Sequence, residues 1–235
     1  MPAFAPVSQL SLKTILFPTD FSPASAAALP FAQSLAQIYG STIVIAHVMA
    51  PEPHRQVVTD RIPAQDNLVW QDARRALNAF TDNPIFRTMP HKALLDRGDV
   101  ADVIPALIRD HDVDLVVLGT HGRRGVSKLI LGSAAEAIYR SSPCPVLTVG
   151  PKAEASVPWK LRRILCPIDG SEDPEPALYY ALSLAEQNQS ELVLLESVPL
   201  VPWQHRPAIQ ERACRALESL IPEQSRDWCL SLIHI

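Results

Sequence analysis

Between Thr14 and Val149 short apolar runs alternate with longer amphipathic stretches. "TILFP" (14–18) is an apolar run ended by Pro18 and reads as a buried strand. Ser22-Pro23 offers an N-cap and a first helical residue, opening a helix to about Tyr39 that Gly40 ends. "STIVIAHV" is a β-branched strand. "AQDNLVWQDARRALNAF" carries Leu68, Val69, Ala73, Ala76, Leu77 and Phe80 at helical spacing, which predicts one apolar face. A weaker strand is expected within Phe86–Asp96, then a helix from Val100 to Asp110 bent by Pro105. "DLVVLG" is the most apolar strand, Ser133–Ser141 a further helix, and "PVLTV" (145–149) a final strand. Strands alternating with helices predict a parallel sheet covered on both faces. Ligands of such sheets sit beyond the carboxyl ends of the strands, where the strand order reverses.

The pattern is written twice. Shifted by 149 positions, Lys13–Val48 lies on Arg162–Ser197 without a gap, with 13 of 36 positions identical. Pro18/Pro167, Asp20/Asp169 and Ser22/Ser171 are among them. One long offset means duplicated domains, whereas a solenoid would repeat every ~20–50 residues. Residues 1–150 and 151–235 are the expected domains, joined by the proline-bearing "GPKAEASVPWK" (Gly150–Lys160). The second copy predicts strand, helix, strand and helix, then one more strand from Asp227. It has no counterpart of Gly119–Val149. Its last residues, "LSLIHI" (230–235), are what the adapter-like DNA CTGTCTCTTATACACATC encodes in frame, and so read as a sequencing scar.

Composition narrows the classes. With 47% hydrophobic and 20% charged residues the chain is globular, with enough apolar residues for a sizeable core. A net charge of −4 argues against a nucleic-acid partner, which favours a strongly basic surface. Cys144, Cys166, Cys214 and Cys229 show neither C-x-x-C nor zinc spacing, and read as idle thiols in a reducing compartment. The N-terminus lacks the pattern of an export signal. No apolar run approaches the ~20 residues that span a bilayer. A cytoplasmic protein without a membrane partner is expected.

Four of the eight glycines, Gly119, Gly122, Gly125 and Gly132, fall within fourteen positions in "GTHGRRGVSKLILGSAAE" (119–136). Such a loop, following a strand and running into a helix, fits an anion: bare N–H groups and the helix dipole favour phosphate. The Ser133 hydroxyl, Arg123, Arg124 and Lys128 would add to that surface. Ser133 with Glu136 also spells a capping box that needs no ligand, so both readings stand. The loop is not a P-loop. Asp20, just after the first strand, suits either a local cap or a ribose hydroxyl. His121 and His47 have no visible acidic partner and read as surface residues.

These residues carry a resemblance. The chain is similar to the universal stress protein family in its tandem form. Its nucleotide-binding members carry G-x2-G-x9-G-[ST], complete here as Gly119, Gly122, Gly132 and Ser133. "ILFPTDFS", "DLVVLG" and "SSPCPVLTV" match as well, so the likeness covers nearly all of residues 12–150. The resemblance implies an open five-stranded parallel sheet, order 3-2-1-4-5, followed by a partial second copy. It also implies ATP or AMP, with or without Mg2+, at the strand ends. Pro18, Thr19 and Asp20 would border adenine and ribose, Val48 would meet adenine through its backbone, and Leu118 would lie beside it. Gly119 and Gly122 would pass close to ribose and phosphates, which Gly132, Ser133 and Ala134 would bind. In that family the edge strand pairs with its counterpart from a partner domain, which in tandem chains the second domain supplies. The second copy here stops before that strand, so a homodimer through the edge strand 145–149 is expected instead. The leading expectation is a non-enzymatic, stress- or energy-responsive module with slow hydrolysis at most. The alternatives are a nucleotide-activating or ATP-hydrolysing enzyme, which would want a base or metal site, and a protein acting through its surface alone.

Overall fold

A computed structural model describes residues 10–50, 64–120, 132–153, 161–168, 176–197, 206–221 and 231–234. The chain divides into two compact units, Ser11–Trp159, and Lys160–Ile235 with Met1–Leu10.

The first unit holds β1 (Thr14–Pro18), α1 (Pro23–Ala26), α2 (Leu29–Tyr39), β2 (Thr42–Met49) and α3 (Ala64–Thr81). After a 3-10 turn at Pro84–Thr88 come β3 (His91–Arg97), α4 (Val100–Asp110), β4 (Leu115–Gly119), α5 (Ser133–Ser141) and β5 (Val146–Val149). The strands form one parallel sheet in the order β3-β2-β1-β4-β5. A parallel sheet buried on both faces needs nearly continuous apolar strands, and β1 shows it: Ile15, Leu16 and Phe17 are all fully buried. Ile15 and Phe17 pack with Phe31 and Leu35 of α2, Leu77 of α3, and Phe86. Leu16 packs on the other face with Ile104 and Ile108 of α4 and Ile138 of α5.

The order reverses between β1 and β4. Their ladder ends early, at Leu16↔Val116, while β1 stays paired with β2 as far as Pro18↔Ala46. The carboxyl ends of β1 and β4 therefore part, which is the crevice a doubly wound sheet offers a ligand.

The expected helix from Pro23 to Tyr39 is two helices. Pro30 has no N–H, and within one continuous helix its ring would clash with the carbonyl of Ala26. The chain breaks at Ala27–Ala28, and α2 starts afresh with Pro30 in its first turn. Gly40 ends α2 in the left-handed conformation, φ 66°, as a glycine there allows. The weak strand runs slightly later than expected, as β3. The apolar face of α3 is only partly used: Leu77 is buried, whereas Leu68 and Val69 are 56% and 50% exposed.

The second unit contains β6 (Arg163–Ile168), α6 (Pro176–Asn188), β7 (Glu191–Glu196), α7 (Arg206–Ser219) and β8 (Ser231–His234). Its sheet is parallel in the order β6-β7-β8. The third strand thus falls within the segment that reads as a scar. Strand pairing is a backbone interaction and tolerates such a sequence. The duplication makes an instructive pair of Leu16 and Leu165. Leu16 is fully buried in a central strand, whereas Leu165, on the outermost strand of its sheet, is 59% exposed.

Candidate functional site

The turn after β1 is tied from several sides. Thr19 N–H donates to Ala46 O (2.9 Å), prolonging the β1–β2 ladder by one bond. The Thr19 and Ser25 hydroxyls share a hydrogen bond of 2.6 Å, and Phe21 N–H donates to Thr19 Oγ1 (3.0 Å). Ser22 caps α1 by accepting from Ser25 N–H (3.1 Å). Asp20 Oδ1 accepts from Ser22 N–H (3.0 Å), the local turn that Asp favours. A carboxylate has about four lone-pair sites, so this bond and a ribose hydroxyl are compatible. Thr19 itself is 6% exposed and spends its hydroxyl within the turn.

His47 belongs to this turn rather than to the surface. It is half-buried, its Nδ1–H donates to Thr19 O (2.7 Å), and its ring lies 4.4 Å from that of Phe21. Phe21 has φ 60°, a left-handed conformation that is rare for a bulky residue. The period of two along β2 could have found His47: it shares a face with Ile43 and Ile45, toward α2 and α3.

Across the crevice, Gly119 ends β4 against the backbone of α1. A Cβ there would lie 2.5 Å from Ala24 O and 3.1 Å from Ala24 C. The glycine is thus demanded by packing whether or not a ligand binds. Leu118 is buried and Val48 half-buried, both on the α4/α5 side of the sheet. Thr120 N–H donates to Val149 O (3.0 Å) and Gly132 N–H to Thr120 O (2.8 Å). Both ends of the glycine loop are therefore joined at one neck. Gly122, with Gly125, His121, Arg123, Arg124 and Lys128, lies outside the described residues.

The N-cap of α5 is Gly132, extended at φ −60° and ψ 151°, so Ser133 and Ala134 occupy the first helical positions. The capping box therefore does not form. Ser133 is already inside the helix, and Glu136 pairs with Arg140, Nε to Oε1 at 3.0 Å. Gly132 has no side chain with which to satisfy the first N–H groups, which keeps them suited to an anion. Pro18, Asp20, His47, Val48, Leu118 and Gly119 stand at the carboxyl ends of three adjacent strands, and Gly132 reaches them through Thr120.

Among the described residues no group of three or more His, Cys, Asp and Glu could hold a metal ion. No described helix is long and apolar enough to cross a membrane. Burial pushes the Cys144 thiol above its ordinary value, and Asp114 adds to the shift against hydrogen bonds that lower it. That thiol stays protonated at neutral pH, as an idle thiol would.

A doubly wound parallel sheet whose order reverses between β1 and β4 defines an open α/β fold. The model of the universal stress protein family matches residues 11–150 and 160–225, and this chain belongs to that family. The two matched segments make a tandem, the second with two described strands against five in the first, while β8 lies just beyond it. Universal stress protein A homolog 1 of Coxiella burnetii is 32% identical over 140 residues, 58% of this chain and 95% of that protein. A universal stress protein of Thermus aquaticus is 30% identical over 140 residues, 58% of this chain and 98% of its own. The solved universal stress protein of Archaeoglobus fulgidus shares the fold, with a TM-score of 0.63 at 15% identity. That match covers 94% of this chain and 86% of the other. The family fold is generally a non-catalytic nucleotide-binding module rather than an enzyme.

Proposed function

We propose that the first unit binds an adenine nucleotide, ATP or AMP, and works as a cytoplasmic module responding to stress or energy state. The observation that carries this reading is the neck of the glycine loop. It brings Gly132 and the start of α5 beside the β1/β4 crevice, where Asp20 stands. The N–H groups of Ser133 and Ala134 and the Ser133 hydroxyl would take phosphate. Asp20 would accept from ribose, and Val48 and Leu118 would border the base. Gly119 and Gly122 would let the nucleotide lie close to the main chain. Denaturing freshly purified protein and resolving the supernatant by ion exchange should release ATP or AMP. Protein that releases none, and retains none after incubation with ATP, would contradict the reading.

The same reading includes a homodimer through strand 145–149. β5 is the outermost strand of its sheet, and Pro145 O and Val149 O both bond to the β4 side. By alternation the N–H and C=O of Val146 and Thr148 point to the outer edge, a template for another strand. A two-fold axis would pair two such edges. Light scattering at micromolar concentration should show a dimer for the wild type and a monomer for Thr148→Pro, which removes one outward N–H. A monomeric wild type, or a dimer unaffected by the proline, would remove the edge from the account.

A further inference from the structure

We propose that His47 and Phe21 are positioning residues for the nucleotide, locking the Thr19–Asp20 peptide and so the aim of the Asp20 carboxylate. The proposal rests on the nucleotide reading and adds residues that it did not contain. A carbonyl only accepts, so the bond to Thr19 O at 2.7 Å places a ring proton of His47 on Nδ1. That bond fixes the carbonyl of the peptide that leads into Asp20. One residue later the chain turns through Phe21 at φ 60°, a conformation suited to glycine rather than phenylalanine. The ring of Phe21 rests on His47 at 4.4 Å and lies 5.9 Å from Phe80. A side chain held where the backbone would prefer none is there for what the ring does.

The internal repeat supports this. At the 149-residue offset Phe21 corresponds to Gly170 and His47 to Glu196. Glycine carries no ring, and a glutamate carboxylate only accepts, so it cannot donate to a carbonyl. The copy that carries the glycine loop has both parts of the lock, and the copy without the loop has neither. The lock travels with the binding site rather than with the fold.

Two substitutions separate the hydrogen bond from the ring. His47→Phe keeps an aromatic face against Phe21 and loses the donor, whereas His47→Asn places an amide N–H near the former Nδ1. Titration of AMP into the full chain should show His47→Phe weakened about tenfold, the size expected for one hydrogen bond. His47→Asn should recover to within about threefold of wild type on the same scale. Nitrogen-15 spectra of the wild type should show His47 protonated on Nδ1. Unaltered affinity in His47→Phe, no recovery in His47→Asn, or an Nδ1 without a proton would each overturn the proposal. A wild type that binds no AMP would instead remove the nucleotide reading and this proposal with it.

Discussion

Gly119→Ala is expected to destabilise the first unit by roughly 2–3 kcal/mol, the upper range for overpacking a well-filled site. The added Cβ would meet only backbone: Ala24 O at 2.5 Å, Ala24 C at 3.1 Å and Ser25 Cα at 3.3 Å. No rotamer change relieves such a clash, so α1 must move away from β4. Ser25 moves with it, and its hydroxyl holds Thr19 at 2.6 Å. The turn that presents Asp20 is disturbed in consequence, and nucleotide affinity should fall together with stability. Thermal unfolding followed by circular dichroism should show a midpoint lower by roughly 5–10 °C. An unchanged midpoint would mean that α1 yields at no cost, and that Gly119 is not a packing requirement.

Gly132→Val should do the reverse, sparing stability and removing affinity. Gly132 is extended, with φ −60°, a conformation open to any residue. Valine is a poorer N-cap than glycine, but the loss should stay below about 1 kcal/mol. Its branched side chain would stand at the entry to α5, in the space the reading gives to phosphate. Charge-assisted hydrogen bonds contribute about 1.5–3 kcal/mol each, so losing one should weaken ATP binding about 10- to 100-fold. Calorimetric titration against the wild type checks this. An unaltered affinity with intact folding would make the loop structural.

Much of this architecture was legible because each signal was local. Glycine after Tyr39, the apolar runs of β1 and β4, and the start and end of α4 and α5 follow from periodicity and end signals. Pro30 was equally visible, and its ring decides that the first helix is two. The exposure of Leu68 and Val69 was not readable, because helical spacing shows that a face exists and not what lies opposite it. His47 escaped for a related reason: its partner is a main-chain carbonyl, which no side-chain motif announces. The contrast between Leu16 and Leu165 comes from strand order, since the same residue in the same repeat is central in one sheet and outermost in the other. In the candidate site, Gly119 answers to two masters. The loop motif assigns it to a ligand, whereas the packing of α1 would require it in any case.

Calorimetric titration of AMP into the full chain tests the central claim most directly, because the number of sites separates the two copies. One site per chain is predicted, carried by the copy that has Gly119, Gly122, Gly132 and Ser133. No heat, or two equivalent sites per chain, would contradict it.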